Sequence, residues 1–290
     1  MIRLAVRVRR DQAELVLAEL LDLAPGGVEE VDVSEEVVEY AVYGPPGELP
    51  ALPDVRAAAG GALVQVGSTE VPDDWAERWR SFHRPLVLGD RLVVRPPWEQ
   101  AAAGVALDLV IDPGRAFGTG AHATTRLCLE MLLDLEPPVV RMTTGISRAQ
   151  APVIDLGCGS GVLAIAAARL GWGAVLGLDF DPLAVQATVE NARVNGVASL
   201  VSAERFDLRS APVPAASLVL ANLLAPLLLE WCSQLAGGMA EPPGCVIASG
   251  LLEREADPIA QAFAGVGLAE TGRRVHGEWA ALLLARSDQG

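Results

Sequence analysis

Apolar and polar positions fall into three regimes along the chain. From Ile2 to Val8 apolar residues alternate with arginine, the period of two expected of a half-buried strand. Asp11 with Glu14 three residues on forms a capping-box-like start, predicting a helix through Leu23 that Pro25-Gly26-Gly27 ends. Val28 to Val33 and Val37 to Tyr43 read as strands, the Ala-rich stretch from Val55 to Ala62 as a second helix, and Leu63 to Val66 as a last strand. The order β-α-β-β-α-β over residues 1–68 predicts a small α+β, ferredoxin-like domain.

Between residues 69 and 100 the pattern changes. Trp75, Trp79 and Phe82 lie on one face of a short helix, and Leu86 to Leu88 and Arg91 to Arg95 flank Gly89-Asp90 as a hairpin would. This segment is expected to connect the small domain to a larger one spanning 101–290. There, apolar runs alternate with helical patterns: Leu107 to Ile111, Val153 to Leu156, Ala174 to Leu178, Leu200 to Ala203, Leu218 to Ala221 and Cys245 to Ala248. Such alternation implies a mainly parallel sheet covered by helices on both faces. Leu268 to Val275 and Trp279 to Leu284 leave no room for a helix between them and must form an antiparallel hairpin at the sheet edge. Residues 135–152, polar and carrying Pro137, Pro138 and Pro152, read as a surface loop.

Composition narrows the classes. The chain has 290 residues, 51% of them hydrophobic, which is ample for a sizeable core. No apolar run reaches the length of a membrane span, and arginines punctuate the apolar N-terminal segment, so no secretory signal is expected and the location is expected to be cytoplasmic. Cys128, Cys158, Cys232 and Cys245 are scattered and suggest neither a metal site nor a disulfide framework. The formal net charge is −15, and all 22 basic residues are arginine. That balance repels phosphate backbones and attracts basic partners. RNA-recognition domains with the same β-α-β-β-α-β order need aromatic residues on basic strands, and residues 1–68 offer only Tyr40 and Tyr43.

Four motifs carry candidate chemistry. Val153 to Leu156 runs into Gly157-Cys158-Gly159-Ser160-Gly161 and then an Ala-rich helix, a turn that lets backbone approach a ligand closely. A dinucleotide fingerprint would place its third glycine at position 162, which is Val162. Asp155, two residues before the first glycine, suits a cofactor with a cationic amino-acid tail such as S-adenosylmethionine better than a pyrophosphate. Asp179, 22 residues after Gly157, ends the next strand, where an acid can accept hydrogen bonds from both ribose hydroxyls of an adenosine. Asp181-Pro182 reads as a helix cap. Asn222 ends the Leu218 run, where many amino-group methyltransferases hold the target nitrogen with an Asn-Pro-Pro-aromatic turn; the aromatic is missing here, and Asn222 can equally cap a helix. Finally, the Gly- and Thr-rich run from Asp112 to Thr125 suits a loop that closes over a ligand, with Phe117 as a lid and His122 as a candidate proton acceptor or lid residue.

Taken with Leu127-Cys128-Leu129, the run from Asp112 to Thr125 resembles the signature of the ribosomal protein L11 methyltransferases. The resemblance extends over essentially the whole chain, through Trp75 and Trp79, Arg95-Pro96-Pro97-Trp98, the turn from Asp155 to Gly161, Asn222 to Leu227, Ser249-Gly250-Leu251-Leu252 and Glu278-Trp279. Ala121 and Ala123, where the family often has Thr and Pro, and a longer loop before Val153 depart from it. What the resemblance implies is a seven-stranded, Rossmann-like α/β methyltransferase sheet with an antiparallel terminal hairpin. It also implies S-adenosylmethionine bound at Thr125, Gly157, Asp179 and Asn222, and an acidic N-terminal domain that presents a basic ribosomal protein. Asp155, Glu278 and Asn222 are candidates for orienting the target amine. Rival readings are a methyltransferase acting on another protein, RNA or a small molecule and, of other classes, a nucleotide-dependent oxidoreductase, disfavoured by Val162 and the reversed terminal hairpin, and a cofactor-binding adaptor without catalysis.

Overall fold

A computed structural model describes residues 2–24, 28–34, 36–44, 49–70, 84–113, 122–135 and 153–286. They divide into two compact units, one containing the described residues up to 70 and the other those from 84 onward. Trp75, Trp79, Phe82, Phe117 and the polar stretch beyond Leu135 lie outside the described residues.

In the first unit, β1 (Ile2–Arg9), α1 (Ala13–Leu23), β2 (Glu29–Asp32), β3 (Val37–Gly44), α2 (Leu52–Ala59) and β4 (Leu63–Glu70) follow in the expected order. The four strands form one antiparallel sheet in the order β2-β3-β1-β4, a ferredoxin-like arrangement. Strand alternation sends Leu4, Val6 and Val8 of β1 and Val38, Tyr40 and Val42 of β3 into a core with Val16, Leu20 and Val55 of the helices. On the opposite parity, Arg3 and Arg7 both bind the carboxylate of Glu39, at 2.5 and 2.6 Å. The hydrogen bond from Arg3 holds that carboxyl below its usual range against the opposing effect of burial. The start of α1 differs from the sequence expectation. Residues 10–12 form a 3-10 turn, Gln12 occupies the N-cap without a capping side chain, and Asp11 pairs instead with Arg9 at 3.5 Å.

The second unit contains two sheets. β5 (Leu86–Leu88) and β6 (Leu92–Arg95) form the expected hairpin, and β7 (Leu107–Val110) joins β6 in parallel. The alternation pattern placed β7 in the large parallel sheet; its free edge is closed by side chains instead. Asn195 takes both the N–H and the C=O of Val110, through Oδ1 at 2.9 Å and Nδ2 at 2.7 Å, and Asn191 Oδ1 accepts from Asp112 N at 3.0 Å. Backbone groups paired in this way at Val110 and Asp112 are not available to a further strand.

The large sheet follows as α3 (Ala123–Asp134), β8 (Val153–Leu156), α4 (Val162–Arg169), β9 (Val175–Asp179), α5 (Pro182–Val194), β10 (Val201–Arg205), β11 (Leu218–Asn222), α6 (Ala225–Ala236), β12 (Cys245–Leu252), α7 (Glu253–Ala264), β13 (Leu268–His276) and β14 (Trp279–Arg286). Its seven strands lie in the order β10-β9-β8-β11-β12-β14-β13. The first five are parallel, whereas β14 runs antiparallel to both β12 and β13. One face packs Val153, Val175, Leu218, Leu220 and Ile247 against α3 and α4. The other packs Ile154, Leu156, Val219, Ala221 and Val246 against α6 and α7, where Trp231 and Phe263 meet edge to face at 5.5 Å. The two faces alternate because successive strand side chains point in opposite directions.

Candidate active site

Strand order reverses at β8, which has β9 on one side and β11 on the other. Open α/β sheets bind ligands outside the carboxyl ends of the strands at such a reversal, because the connecting chains diverge there and leave a crevice. Gly157 follows β8, Asp179 ends β9 and Asn222 ends β11, so three of the sequence-predicted site residues converge on this edge. Parity tightens the picture. Asp155 stands two residues beyond Val153 and beside Leu220 in register, and Asn222 two beyond Leu220, so both belong to the sheet face that α3 and α4 cover.

The turn after β8 is held by backbone and acid together. Gly157 N and Cys158 N both donate to Leu178 O, at 2.7 and 3.2 Å. Gly159 N donates to Asp179 Oδ2 at 2.8 Å, and Asp181 N to Asp179 Oδ1 at 3.0 Å. The backbone N–H of Phe180 adds to these two, so the Asp179 carboxylate is held by successive backbone donors and retains part of its capacity of roughly four acceptor positions. Burial raises the Asp179 carboxyl above its ordinary value, against those backbone hydrogen bonds. Asp181 caps α5 through Leu183 N at 2.8 Å, the helix cap that its sequence context suggested.

Asp155 is 1% exposed. Its Oδ2 accepts from Ala164 N at 2.9 Å, at the start of α4, whose N-cap is Gly161 and has no side chain to offer. The strand thus supplies the acceptor that the helix start lacks. Oδ1 is buried and has no hydrogen-bond partner among the described residues. Burial pushes this carboxyl up to about 7, and the charge of Asp179 adds to the shift.

Thr125, buried in the first turn of α3, meets the end of β11: Asn222 Nδ2 lies 3.4 Å from Thr125 Oγ1. His122 is the N-cap of α3, accepting at Nδ1 from Thr124 N at 3.3 Å, and its ring stands edge-on to Trp279 at 4.7 Å. Burial lowers its pKa. The Glu278 side chain is exposed in the β13–β14 turn, while its carbonyl accepts from Glu253 N at 2.7 Å. Sequence reading overlooked Leu223. A Cβ added at Gly157 would lie 2.5 Å from Leu223 Cδ2, and one added at Gly250 would lie 2.4 Å from Leu223 O. The only trace of this in the sequence is glycine at both positions.

The residues at this edge fit a ligand that carries a cationic end and a vicinal diol. Asp155 offers an unpaired buried oxygen, Asp179 retains acceptor capacity beyond its backbone partners, and glycine at 157, with φ of +76°, makes the sharp turn at the strand end, the space a Cβ would take being filled by Leu223. A doubly wound sheet with this crevice, ending in a reversed strand inserted beside β12, has the architecture of the Rossmann-like methyltransferases. The chain belongs to the ribosomal protein L11 methyltransferase family, whose sequence model matches residues 56–287. It is 41% identical over 229 residues to the ribosomal protein L11 methyltransferase of Pelotomaculum thermopropionicum, covering 78% of this chain and 70% of that protein. Identity to the Heliobacterium modesticaldum protein of the same name is 40% over 217 residues, covering 74% of this chain and 65% of that one. Among solved structures, ribosomal protein L11 methylase from Lactobacillus delbrueckii subsp. bulgaricus aligns with a TM-score of 0.58 at 31% identity, over 70% of this chain and 98% of that one. Among the described residues, no helix is long and apolar enough to cross a membrane.

Proposed function

We propose that the protein transfers methyl groups from S-adenosylmethionine to amino groups of large-subunit ribosomal protein L11, on lysine side chains, the N-terminal amine or both. The observation that carries this reading is the convergence of Gly157, Asp179 and Asn222 at the switch point, with Thr125 against Asn222. When bound, the cofactor supplies an electrophilic methyl on a cationic sulfur. Asp179 would accept the ribose hydroxyls with the acceptor capacity that the backbone N–H groups of Gly159, Asp181 and Phe180 leave open. Asp155 would stabilise the cationic end. Its carboxyl is raised by burial, and a nearby positive charge restores the ionised form.

Asn222 would orient the target nitrogen. Its Nδ2 is turned toward Thr125, which leaves Oδ1 to accept an amine N–H. The amine must be neutral to attack, and a free lysine is less than ~0.1% neutral at pH 7. Leu223, next to Asn222 and packed toward the Gly157 turn, would give the amine an apolar neighbour, and apolar surroundings lower an amine pKa by penalising its charge. His122 fits a structural role better than that of proton acceptor, because Nδ1 already caps α3 and protonation there would remove the cap. The net charge of −15 favours a basic protein over nucleic acid as partner, and the reading places the protein in the cytoplasm.

The test is incubation with labelled S-adenosylmethionine and ribosomes from a strain lacking the enzyme, followed by mass spectrometry of protein and RNA. Label on amines of L11 is expected. Label confined to RNA or to another protein would overturn the substrate, and binding without transfer would make the chain an adaptor.

A further inference from the structure

Leu223 touches both machineries of the site and belongs to neither set of ligands. It follows Asn222 at the end of β11, and its N–H donates to Ser249 O at 3.0 Å across to β12. Past this point β12 leaves its register with β14: the pairing shifts between Ala248 and Leu251, and Gly250 adopts φ of +83°. That irregularity brings Gly250 onto the Leu223 backbone. An added Cβ would stand 2.4 Å from Leu223 O, 2.7 Å from its carbonyl carbon and 3.0 Å from its N. The Leu223 side chain reaches toward the Gly157 turn, where an added Cβ would be 2.5 Å from Cδ2 and 3.5 Å from Cγ. One residue thus fills with its backbone the space that glycine leaves in β12, and with its side chain the space that glycine leaves after β8.

We propose that Leu223 is a positioning residue that couples the Gly157 turn to the β12 irregularity, holding Asn222 at a fixed offset from the cofactor. The proposal rests on the assignment of the cofactor to Gly157 and Asp179. Close packing makes the link stiff: backbone on the Gly250 side has no rotamer to yield, so a side chain there must move the β11 end, and Leu223 carries that movement into the turn. Gly250 is then part of the cofactor site in effect, although it lies on a different strand from every assigned ligand. Its φ demands glycine for conformational reasons as well, so a loss of function in Gly250→Ala alone would not separate strain from coupling. A double-mutant cycle does separate them.

The cycle compares the wild-type protein, Gly250→Ala, Leu223→Ala and the double variant by calorimetric titration with S-adenosylhomocysteine, which reads binding without turnover. Gly250→Ala is expected to weaken binding about tenfold in the wild-type background and less than about twofold once Leu223 is alanine. In turnover, Gly250→Ala should lower kcat for the protein substrate more than it raises KM. An equal loss in both backgrounds, or no loss in Gly250→Ala, overturns the coupling. Should circular dichroism show that Gly250→Ala does not fold, Leu223→Ala against Leu223→Met decides: weakened binding with alanine, restored by the unbranched side chain, supports the coupling, and equal binding overturns it. A wild-type protein that fails to bind would end the cofactor assignment and this proposal together, whereas normal wild-type binding with a flat cycle ends this proposal alone.

Discussion

Replacing Asp179 by alanine removes two acceptor oxygens that backbone N–H groups already engage, Gly159 at 2.8 Å and Asp181 at 3.0 Å, with Phe180 beside them. The remaining acceptor positions are those assigned to the ribose hydroxyls. A hydrogen bond to a charged group contributes about 1.5–3 kcal/mol, so losing two costs the ligand about 3–6 kcal/mol. Affinity should then fall by roughly two to four orders of magnitude. Gly159 N–H also loses its partner, which loosens the turn and adds to the loss. Asp179→Asn should not rescue: both oxygens accept backbone N–H groups, so an amide nitrogen would face a donor whichever way it turned. The assay is titration calorimetry with S-adenosylhomocysteine, supported by thermal unfolding, in which ligand-dependent stabilisation should disappear in the variant. Unchanged affinity in a folded Asp179→Ala protein would refute the site.

Asp155 has a folded-state pKa raised to about 7, so its protonated form stabilises the ligand-free fold, and that contribution is lost as pH rises from its unfolded value near 4 through 7. Thermal unfolding of the unliganded protein between pH 5 and pH 8 should show this decline, and Asp155→Asn should flatten it; an identical slope would mean the carboxyl does not titrate there. Cofactor affinity should move the opposite way and rise with pH to a plateau above about 7, because a cationic ligand favours the ionised carboxylate; calorimetry across that range checks it. Trp231→Ala, in the fully packed contact with Phe263, should destabilise by about 3–5 kcal/mol and leave cofactor affinity intact, as denaturant unfolding and calorimetry would report. Deleting the N-terminal unit, cut after Glu70 where β4 ends, should abolish methylation of the ribosomal protein and spare cofactor binding; retained methylation would show that recognition lies elsewhere.

Much of the architecture was legible because local periodicity reports which face of an element is buried. The β-α-β-β-α-β order, the alternation from Val153 onward and the closing hairpin all follow from periods of two or 3.6 residues and the space between them. The boundaries were less legible. Asp11 and Glu14 carry a capping-box spacing, yet Arg9 takes Asp11 and the helix begins at Ala13. β7 has the composition of a parallel strand, but whether its edge meets a strand or the amides of Asn191 and Asn195 depends on residues some 80 positions away.

By itself the sequence determined the chemical inventory of the candidate site: a glycine turn after a buried strand, an acid ending the next strand, and an asparagine ending another, each placed by a local pattern at a strand end. Tertiary structure decided which of them meet. Thr125 and Asn222, 97 residues apart, become neighbours only when α3 packs on the sheet face that β11 shares. The pKa of Asp155 near 7 is a consequence of burial among packed elements, and no spacing encodes it. Leu223 looks like any leucine in an apolar run, and its contacts with two distant glycines exist because β8, β11 and β12 lie side by side in the sheet. Local periodicity specifies which way a residue faces; what it meets there is set by contacts between segments remote in the chain.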